Sequence, residues 1–351
     1  MRRITIRSRW HRYGVHRPAR LALENLARQL RWPARVSQAE PPSHLWAVVL
    51  AGGQGVRLRG LTRHVYGVER PKQYAALMGG ISLLRQTLAR VRLRVPPERT
   101  LVVTMAGQAG YMAIELKREQ RAPMVLEQPA DRGTAAAVLL AAHWIRARDP
   151  QGALMFLPSD HFVEDDAAFM DAVVGVVRAI EQGQRRMVLL GAEPADPETD
   201  YGWIDLGKPL PGIRSSSPMH RVLRFVEKPD QAEANELYHA GALWNTFVFG
   251  GSAATLVQAG AEYQPALHER LSMLDKFLGS EHERWAIAQA YEFAPRASFS
   301  RDVLEHCPSR LAAMRLAQVG WCDLGTPRRV IRLLDRLDVK PDWLATLRET
   351  G

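Results

Sequence analysis

The feature that most constrains the fold of this chain is a regular alternation of short apolar runs and helical patterns from residue 45 onward. Five runs have the length and composition of buried strands: LWAVVL (45–50), TLVVTM (100–105), PMVLEQ (123–128), ALMFLP (153–158) and RMVLLG (186–191). Helical patterns separate them, over residues 81–93, 108–119, 133–148 and 166–182. Runs that are apolar on both faces and joined by helices are typical of parallel sheets covered on both sides. We therefore predict an α/β fold with a Rossmann-like, mainly parallel sheet flanked by helices.

The pattern changes after residue 221. Two further strand-like runs, RVLRFVEKP and ALWNTFVFG, flank a short helical segment over 230–240. Helical patterns follow near 251–260, 264–278 and 281–290. A last strand is predicted at QVGWCDLG (318–325), and a helix is predicted to begin near Thr326.

These patterns predict one domain over residues 45–335. Its first part, residues 45–220, forms the sheet, and residues 221–325 form an insertion or second lobe that covers the open edge of the sheet. Residues 336–351 are predicted to form a C-terminal helix.

The positive charge of the chain is concentrated near its N-terminus. The formal net charge is +10 at pH 7, of which residues 1–40 contribute +8 through ten arginines set against Glu24 and Glu40. The rest of the chain is nearly neutral, so we predict no nucleic-acid partner. Residues 1–44 are predicted to be a basic, solvated N-terminal extension. An Arg-rich transit peptide and an arm that contacts anions or membranes remain alternatives.

Neither a membrane span nor a disulfide framework is predicted. The longest apolar stretch, Ala135 to Ile145, is about half of a membrane span and is interrupted by His143. The N-terminal arm has no continuous apolar region of the kind found in secretory signals. Cys307 and Cys322 are too few for a disulfide framework and are spaced wrongly for zinc. We therefore expect a cytoplasmic location.

A glycine-containing stretch, LAGGQGVRLRGLTRHVYGVERPKQY (50–74), follows the first predicted strand. Gly52, Gly53 and Gly55 are predicted to allow positive φ and close approach, so that successive backbone N–H groups turn toward one anion. Arg57 and Lys72 would then neutralise the bound phosphates. The turn matches neither the P-loop nor the six-residue dinucleotide fingerprint, so by itself it leaves a plain strand-to-helix turn open.

The complete set of motifs is more specific than this turn. The sequence contains, in order, LAGGQGVRL, RPKQY, EQPADRGTAAA, LPSDH, TDYGWIDLG, FVEKP, ALWNTFVF and WCDLG. In this order and spacing, residues 45–335 resemble the sugar-phosphate nucleotidyltransferases, and most closely the mannose-1-phosphate guanylyltransferase branch. The resemblance implies a GT-A-like fold with a nucleotide-binding part (45–220) and a sugar-phosphate-binding part (221–325). The chain departs from the usual RNTAPA and WNSG, which here read RGTAAA (132–137) and WNTF (244–247).

The resemblance implies a reaction in which an oxygen of a sugar 1-phosphate attacks the α-phosphate of a nucleoside triphosphate and releases pyrophosphate. The branch implies GTP and mannose 1-phosphate as substrates, GDP-mannose as product, Mg²⁺ as cofactor and a homodimer or larger homo-oligomer. Two alternatives stay open. One is a regulatory subunit that binds a nucleotide sugar without turnover, and the other is the same reaction with UTP or dTTP and glucose 1-phosphate.

The same resemblance assigns the site residues. The catalytic residues would be Arg57, Lys72, Asp160 and Lys228, and the Mg²⁺ ligands would be Asp160 and Asp323. The nucleotide would be bound by Leu50, Ala51, Gly52, Gly53, Gly55, Arg57, Lys72, Gln128, Gly133 and Thr134. The sugar phosphate would be bound by Tyr201, Gly202, Glu227, Lys228 and Asn245.

Several of these residues have simpler interpretations when each is taken alone. Asp160 or Asp323 could each be an N-cap or turn residue, and the pair Glu227 and Lys228 could be a surface ion pair. His161 is predicted to be a structural partner rather than a base, because a phosphate nucleophile is already ionised. For two tryptophans, Trp203 and Trp244, we predict core packing.

Overall fold

Nine strands form a single mixed sheet in the part of the chain that the computed structural model describes, residues 42–117, 119, 121–211 and 217–349. The predicted extension over 1–44 therefore lies almost entirely outside the described residues. The strands are β1 (Leu45–Leu50), β2 (Thr100–Met105), β3 (Met124–Gln128), β4 (Ala153–Pro158), β5 (Met187–Ala192), β6 (Gly202–Pro209), β7 (Met219–Glu227), β8 (Leu243–Ser252) and β9 (Leu311–Arg315).

Helices connect most of these strands. They are α1 (Arg59–Tyr66), α2 (Leu83–Val91), α3 (Ala109–Leu116), α4 (Gly133–Arg148), α5 (Asp166–Glu181), α6 (Gln231–His239), α7 (Ala253–Tyr263), α8 (Pro265–Ser272), α9 (Glu283–Glu292), α10 (Phe299–Asp302), α11 (Pro327–Arg336) and α12 (Asp342–Glu349). The helix predicted to begin near Thr326 is α11, whose first turn is capped by the Thr326 hydroxyl.

The strand order is β3-β2-β1-β4-β8-β5-β9-β7-β6, and β6 also pairs with β8. That extra pairing closes the last five strands into a ring. The pairs β1–β2, β1–β4, β2–β3 and β5–β9 are parallel. The five remaining pairings in the described sheet, which involve β4 to β9, are antiparallel.

The prediction of a mainly parallel sheet is thus correct for β1 to β4 and for the pair β5–β9, and wrong for the other five pairings of the described sheet. An apolar run indicates that a strand is buried but not which way it runs. Strand β8, which enters between β4 and β5, is antiparallel to both. The strands formed by residues 221–325 lie inside this one sheet. The division into nucleotide-binding and sugar-phosphate-binding parts stays a prediction.

The predicted strand over 318–325 is wrong. These residues form a loop between β9 and α11, in which Cys322 makes an isolated bridge to Phe162. The backbone is left-handed at Gly320 (φ 63°) and at Leu324 (φ 51°), which interrupts an extended conformation. Two strands were missed by the sequence patterns, β6 and β9, and β9 has only five residues.

The core consists of two apolar layers, one on each face of the sheet. Alternate residues of β1 point into different layers. Val48 packs in the layer that contains α4, whereas Ala47 and Val49 pack in the layer that contains α5. Helix α4 is buried on nearly all sides because α7, α8 and α9 pack over its outer surface. Each large side chain buried in this way contributes about 1.5–3 kcal/mol. The double-sided burial explains why the strands of this half read as continuous apolar runs.

A separate small cluster contains the two tryptophans. Trp203 is fully buried, and its ring meets Trp244 edge to face at 6.2 Å, beside Leu237 of α6. The prediction of core packing is confirmed for both. None of the helices in the described part of the chain combines the length and the apolar character needed to cross a membrane.

His143 is a buried titratable group in α4. Its Nδ1 lies 2.8 Å from Asp275 Oδ1, while its buried Nε2 has no partner among the described residues. Burial lowers the pKa of His143 below its usual value, and the Asp275 carboxylate opposes this effect in part. The folded state therefore holds this imidazole neutral at pH values at which the unfolded chain already binds a proton.

We predict that the free energy of unfolding falls as the pH is lowered through the pKa of the unfolded histidine, about 6.5, toward the lower folded value. His143→Gln should reduce this slope between about pH 7.5 and pH 5 when unfolding by urea is measured across that range. The exposed residue His239 provides a matched control, and His239→Gln should keep the wild-type slope. An unchanged slope in His143→Gln would show that His143 does not carry the effect.

Candidate active site

A glycine-containing turn follows β1 at the edge where the parallel strands end. The turn covers residues 51–55 and continues through a short 3₁₀ helix, Val56–Leu58, into α1. Gly55 has a φ of 59°, and a Cβ added there would lie 2.9 Å from the backbone nitrogen of Lys72. Both the backbone conformation and the close packing therefore require glycine at this position.

The prediction of a positive φ is wrong for Gly52 and Gly53. A Cβ on Gly52 would lie 3.1 Å from Gln128 Nε2, and a Cβ on Gly53 would meet no described heavy atom within 4 Å. Both residues line a cavity above the turn. Their lack of a side chain keeps this space open, which is a different reason for glycine from the one at Gly55.

Two buried glutamines hold the carbonyl groups of this turn. Gln73 donates from Nε2 to the Ala51 carbonyl at 2.7 Å and to the Gly53 carbonyl at 3.0 Å. Gln108 donates to the Gly53 carbonyl at 3.3 Å and accepts from Gln73 at 3.1 Å. Because a buried carbonyl without a partner is costly, these two amides fix the conformation of the turn.

The segment that carries Gln73 is fastened to the sheet by Tyr74. Residues Lys72–Tyr74 form a 3₁₀ turn that begins after Pro71. The buried Tyr74 ring stacks on Tyr111 at 5.2 Å, and its hydroxyl bonds to the Thr104 hydroxyl of β2 at 3.0 Å. Burial raises the pKa of Tyr74 to about 12, so the phenol stays protonated at neutral pH.

Lys72 joins two loops that are far apart in the sequence. Its side chain is 6% exposed, and its Nζ lies 3.1 Å from Asp160 Oδ2, directly after β4. The same ammonium donates to the backbone carbonyl of Asp323, in the loop between β9 and α11. The structure thus brings Lys72, Asp160 and Asp323 together.

The Lys72 ammonium keeps Asp160 ionised. Burial acts to raise the pKa of the Asp160 carboxyl, but the Lys72 charge outweighs this effect, and the pKa lies below its usual range. The adjacent His161 is neutral, because burial lowers its pKa to about 4 against the opposing charge of Asp160. His161 Nδ1 accepts a hydrogen bond of 3.3 Å from Trp321, a geometry that suits a structural partner.

The Asp323 carboxylate is held by Tyr201 and Arg329. The Tyr201 hydroxyl donates to Oδ1 at 2.7 Å, and Arg329 Nη1 donates to Oδ2 at 3.1 Å. Arg329 also pairs with Glu198 at 2.6 Å and lies over the Tyr201 ring. Burial and then the Asp323 charge raise the pKa of Tyr201 well above its usual value, so the phenol keeps its proton and donates a hydrogen bond to Asp323.

Arg57 is an exposed cation in the 3₁₀ helix that follows the glycine turn. Its guanidinium donates to Asp200 Oδ2 at 2.8 Å, and both side chains are about half exposed. A solvated ion pair of this kind contributes about 0–1 kcal/mol. Asp200 is therefore a weakly held partner that a phosphate group can displace.

The cavity above the glycine turn has a volume of about 420 Å³. The predicted nucleotide-binding residues that line it are Leu50, Gly52, Gly53, Gln128, Gly133 and Thr134, together with Asp160. The other four predicted residues are not among those that line it: Ala51, Gly55, Arg57 and Lys72. Gln128 is buried and accepts a hydrogen bond of 3.1 Å from Tyr291.

A second cavity of about 340 Å³ adjoins the first. All five predicted sugar-phosphate residues line it: Tyr201, Gly202, Glu227, Lys228 and Asn245, together with Asp323. The two cavities share Thr134, His161 and Phe247. A ligand that occupies both would therefore pass the position of Asp160 and His161.

Gly202 makes room for Glu227 in this second cavity. A Cβ added to Gly202 would lie 2.7 Å from Glu227 Oε2. Burial raises the pKa of Glu227, and the nearby Glu305 carboxylate adds to this increase while Lys228 opposes it. Glu227 therefore ionises less readily than an ordinary surface glutamate.

Left-handed backbone conformations gather around the second cavity. Four described non-glycine residues have a positive φ: Lys228 (57°), Phe247 (56°), Leu324 (51°) and Asp338 (49°). Two of them line this cavity, Lys228 and Phe247, and Leu324 follows Asp323 directly. Such a conformation costs about 1–2 kcal/mol per residue and is typical of functional sites, where the surroundings impose it.

Comparison with known proteins identifies the family. Residues 46–337 match the Nucleotidyl transferase family. The chain belongs to the nucleotidyl transferase family. A solved structure, described as mannose-1-phosphate geranyltransferase from Thermus thermophilus, is 32% identical to this nucleotidyl transferase with a TM-score of 0.68, and the match covers 83% of this chain and 79% of that one.

Two curated relatives of this nucleotidyl transferase match over most of its length. The alginate biosynthesis protein AlgA of Pseudomonas aeruginosa is 32% identical over 285 residues, which are 80% of this chain and 56% of the relative. The mannose-1-phosphate guanylyltransferase of Escherichia coli K12 is 29% identical over 295 residues, which are 81% of this chain and 58% of the relative. The chain thus spans a little more than half the length of these relatives.

Four residues of this nucleotidyl transferase that build the site were not singled out from the sequence: Gln73, Gln108, Arg329 and Phe247. Gln73 was visible within RPKQY, where a Gln next to the lysine could have suggested a support for the glycine turn. Gln108 lies shortly after TLVVTM and Arg329 shortly after WCDLG, and neither belongs to a pattern with a local physical meaning. Their roles arise from tertiary contacts that residue spacing does not encode.

We predict that the glycines of the turn respond differently to alanine. Gly55→Ala should lower the free energy of unfolding by about 1–3 kcal/mol, because it combines an unfavourable φ with a contact against Lys72. Gly53→Ala, two residues away, should change it by less than about 0.5 kcal/mol. Equilibrium unfolding in urea measures both. Equal effects of the two substitutions would contradict this account of the turn.

Proposed function

We propose that this chain transfers GMP from GTP to mannose 1-phosphate, which forms GDP-mannose and releases pyrophosphate. The observation that carries the proposal is that Lys72 contacts both Asp160 and the Asp323 loop where two cavities of suitable chemistry adjoin. The name of the Escherichia coli relative supports this choice of substrates. The name of the Pseudomonas relative supports use of the product in polysaccharide biosynthesis.

In this proposal the nucleotide occupies the first cavity. Gly52 and Gly53 leave room for the triphosphate above the turn, and Arg57 exchanges Asp200 for the leaving pyrophosphate. Gln128 contacts the base edge. Because Tyr291 donates to its Oε1 and its Nε2 lies on the Gly52 side, the amide is oriented to donate to a carbonyl such as guanine O6.

The sugar 1-phosphate occupies the second cavity. Glu227 and Asn245 bind sugar hydroxyls, Gly202 offers its backbone near the ring, and the exposed Lys228 binds the phosphate. Tyr201 has a supporting role, since its hydroxyl is committed to Asp323.

Asp160 and Asp323 are the residues that would hold a divalent metal. No group of three or more His, Cys, Asp or Glu side chains in the described part of the chain could hold one. A pair of carboxylates nevertheless fits Mg²⁺, which keeps several waters and takes further ligands from substrate phosphates. When bound, the ion would neutralise charge on the phosphates that react.

In this mechanism the side chains of the protein position the two substrates and neutralise the charge of their phosphates, and they do not form covalent bonds with them. An oxygen of the sugar phosphate forms a bond to the α-phosphorus as the bond from that phosphorus to the bridging oxygen breaks, and this oxygen leaves with pyrophosphate. The nucleophile is already ionised, so no base is required, consistent with a neutral His161. Lys72 would supply positive charge near the α-phosphate, and it orients Asp160. The cytoplasmic location and homo-oligomeric state stay predictions.

Pyrophosphate release across GTP, ATP, UTP and dTTP, each with mannose 1-phosphate or glucose 1-phosphate, tests the proposal. GTP with mannose 1-phosphate should be the best pair, and EDTA should abolish turnover. Asp160→Asn should lower kcat by at least about 100-fold, a loss typical of a preorganised electrostatic contact, while the fold is retained. Asp205→Asn, which changes a surface partner of Arg224, is the matched control and should keep kcat.

The other outcomes separate the alternatives. Turnover with UTP or dTTP and glucose 1-phosphate would replace the proposed substrates. No turnover with any pair, together with thermal stabilisation by GDP-mannose, would favour a regulatory subunit. Near-normal kcat in Asp160→Asn would remove Asp160 from the catalytic residues.

A further inference from the structure

Strand β8 contains a bulge that projects Phe247 into the site. Between Leu190 and Gly191 of β5, the register on β8 slips, and Thr246 and Phe247 are left out of the ladder. A bulge of this kind re-aims a side chain and is frequent beside active sites.

Side chains replace the ladder bonds that the bulge loses. The Thr246 hydroxyl donates to the Leu190 carbonyl at 2.6 Å and accepts from the Val248 N–H at 3.1 Å. The Asn245 side-chain oxygen accepts from the Phe247 N–H at 3.1 Å. Because these side chains form hydrogen bonds with the backbone groups at the bulge, the bulge is a specific feature of the fold rather than a local irregularity.

Phe247 adopts a backbone conformation that glycine would adopt without strain. Its φ is 56°, in the left-handed region, where a bulky side chain is a genuine outlier. Because a phenylalanine at such a position is strained, a contact of its ring in the site would offset the cost.

The ring lies at the junction of the two cavities. It meets Phe249 edge to face at 5.4 Å, which fixes its orientation from below, and it is partly exposed. Phe247 lines both cavities, as do Thr134 and His161. Of these three, Phe247 alone presents an apolar ring, which makes it an apolar surface between two polar ligand sites.

The surroundings favour the sugar as the partner of this ring. The nucleotide cavity already has an aliphatic wall, which includes Leu50, Val103 and Met105. The second cavity combines polar groups, Glu227 and Asn245, with aromatic rings. A pyranose matches that combination, because its hydroxyl edge makes hydrogen bonds while its C–H face packs against an aromatic ring.

We propose that Phe247 is a specificity-determining residue that packs against the C–H face of the sugar ring. The inference rests on the proposed function for the identity of the ligand, a sugar 1-phosphate. A flat C–H face packs against the phenylalanine ring without losing a hydrogen bond. A sugar hydroxyl that points at the phenylalanine ring loses its hydrogen bond to water and gains no replacement. Phe247 therefore discriminates between sugar 1-phosphates by the orientation of their hydroxyls, beyond the hydrogen bonds of Glu227 and Asn245.

Three substitutions test the proposal with GTP and mannose 1-phosphate. Phe247→Gly removes the ring and fits the backbone, Phe247→Ala removes the ring and keeps the strain, and Phe247→Tyr keeps the ring. In the Gly and Ala variants, KM for mannose 1-phosphate should rise about tenfold, which is the size of effect expected for an apolar pocket contact. Both variants should also prefer mannose 1-phosphate over glucose 1-phosphate less strongly than wild type does. KM for GTP should stay at the wild-type value, and the Tyr variant should resemble wild type. Thermal melting checks that each variant is folded.

Each other result contradicts the proposal. A rise in KM for GTP alone would assign the ring to the nucleotide, and unchanged KM values in the Gly and Ala variants would assign it to packing. If wild type turns over no substrate pair, the proposed function fails. Calorimetric titration of mannose 1-phosphate into wild type and Phe247→Gly then decides about Phe247: about tenfold weaker binding by the variant supports the contact. Equal binding by the two proteins, or no binding by wild type, overturns it.

Discussion

The site depends on one buried ammonium. Lys72 contacts the Asp160 carboxylate after β4 and the Asp323 carbonyl in the loop before α11, and so adds a charged contact between two loops that the isolated bridge of Phe162 and Cys322 also joins. Tyr201 and Arg329 fix the Asp323 carboxylate itself. A buried lysine is tolerable because it is paired, and the same pairing keeps Asp160 ionised and therefore ready to interact with cations. Groups that the fold holds in fixed positions are what catalysis by positioning requires.

The fold supports this ammonium from several directions. Gly55 lets the turn after β1 approach Lys72 closely, and the neighbouring Gln73 holds the carbonyls of the same turn. Tyr74 anchors the segment to β2. The short run RPKQY thus supplies three groups: the charge of Lys72, the amide of Gln73 that holds the turn, and the Tyr74 side chain that attaches the segment to β2. On the opposite side, the bulge in β8 and the left-handed backbone at Lys228 and Phe247 shape the second cavity, so conformational strain collects where the ligand would lie.

The sequence predicted the first half of the sheet well and the second half poorly, for a physical reason. Strands β1, β2 and β4 are buried on both faces, so their apolar runs mark them clearly, whereas the edge strand β3 is only partly buried. Strand direction, the closure of β6 onto β8 and the loop at 318–325 depend on contacts between distant segments and on the backbone of Gly320 and Leu324. The meeting of Asp160 and Asp323 could be predicted because motif order implies a common site. The roles of Gln108 and Arg329 could not, since neither lies in a pattern with a local physical meaning.

A double-mutant cycle on Lys72 and Asp160 tests the central claim most directly. The free energies of unfolding of wild type, Lys72→Met, Asp160→Asn and the double variant give the coupling between the two side chains. If the ammonium holds the site together through Asp160, the coupling should be at least about 1 kcal/mol, because Lys72→Met leaves the Asp160 carboxylate without its cation and Asp160→Asn leaves the buried ammonium without its anion. Additive effects of the two substitutions, with a coupling near zero, would contradict the account.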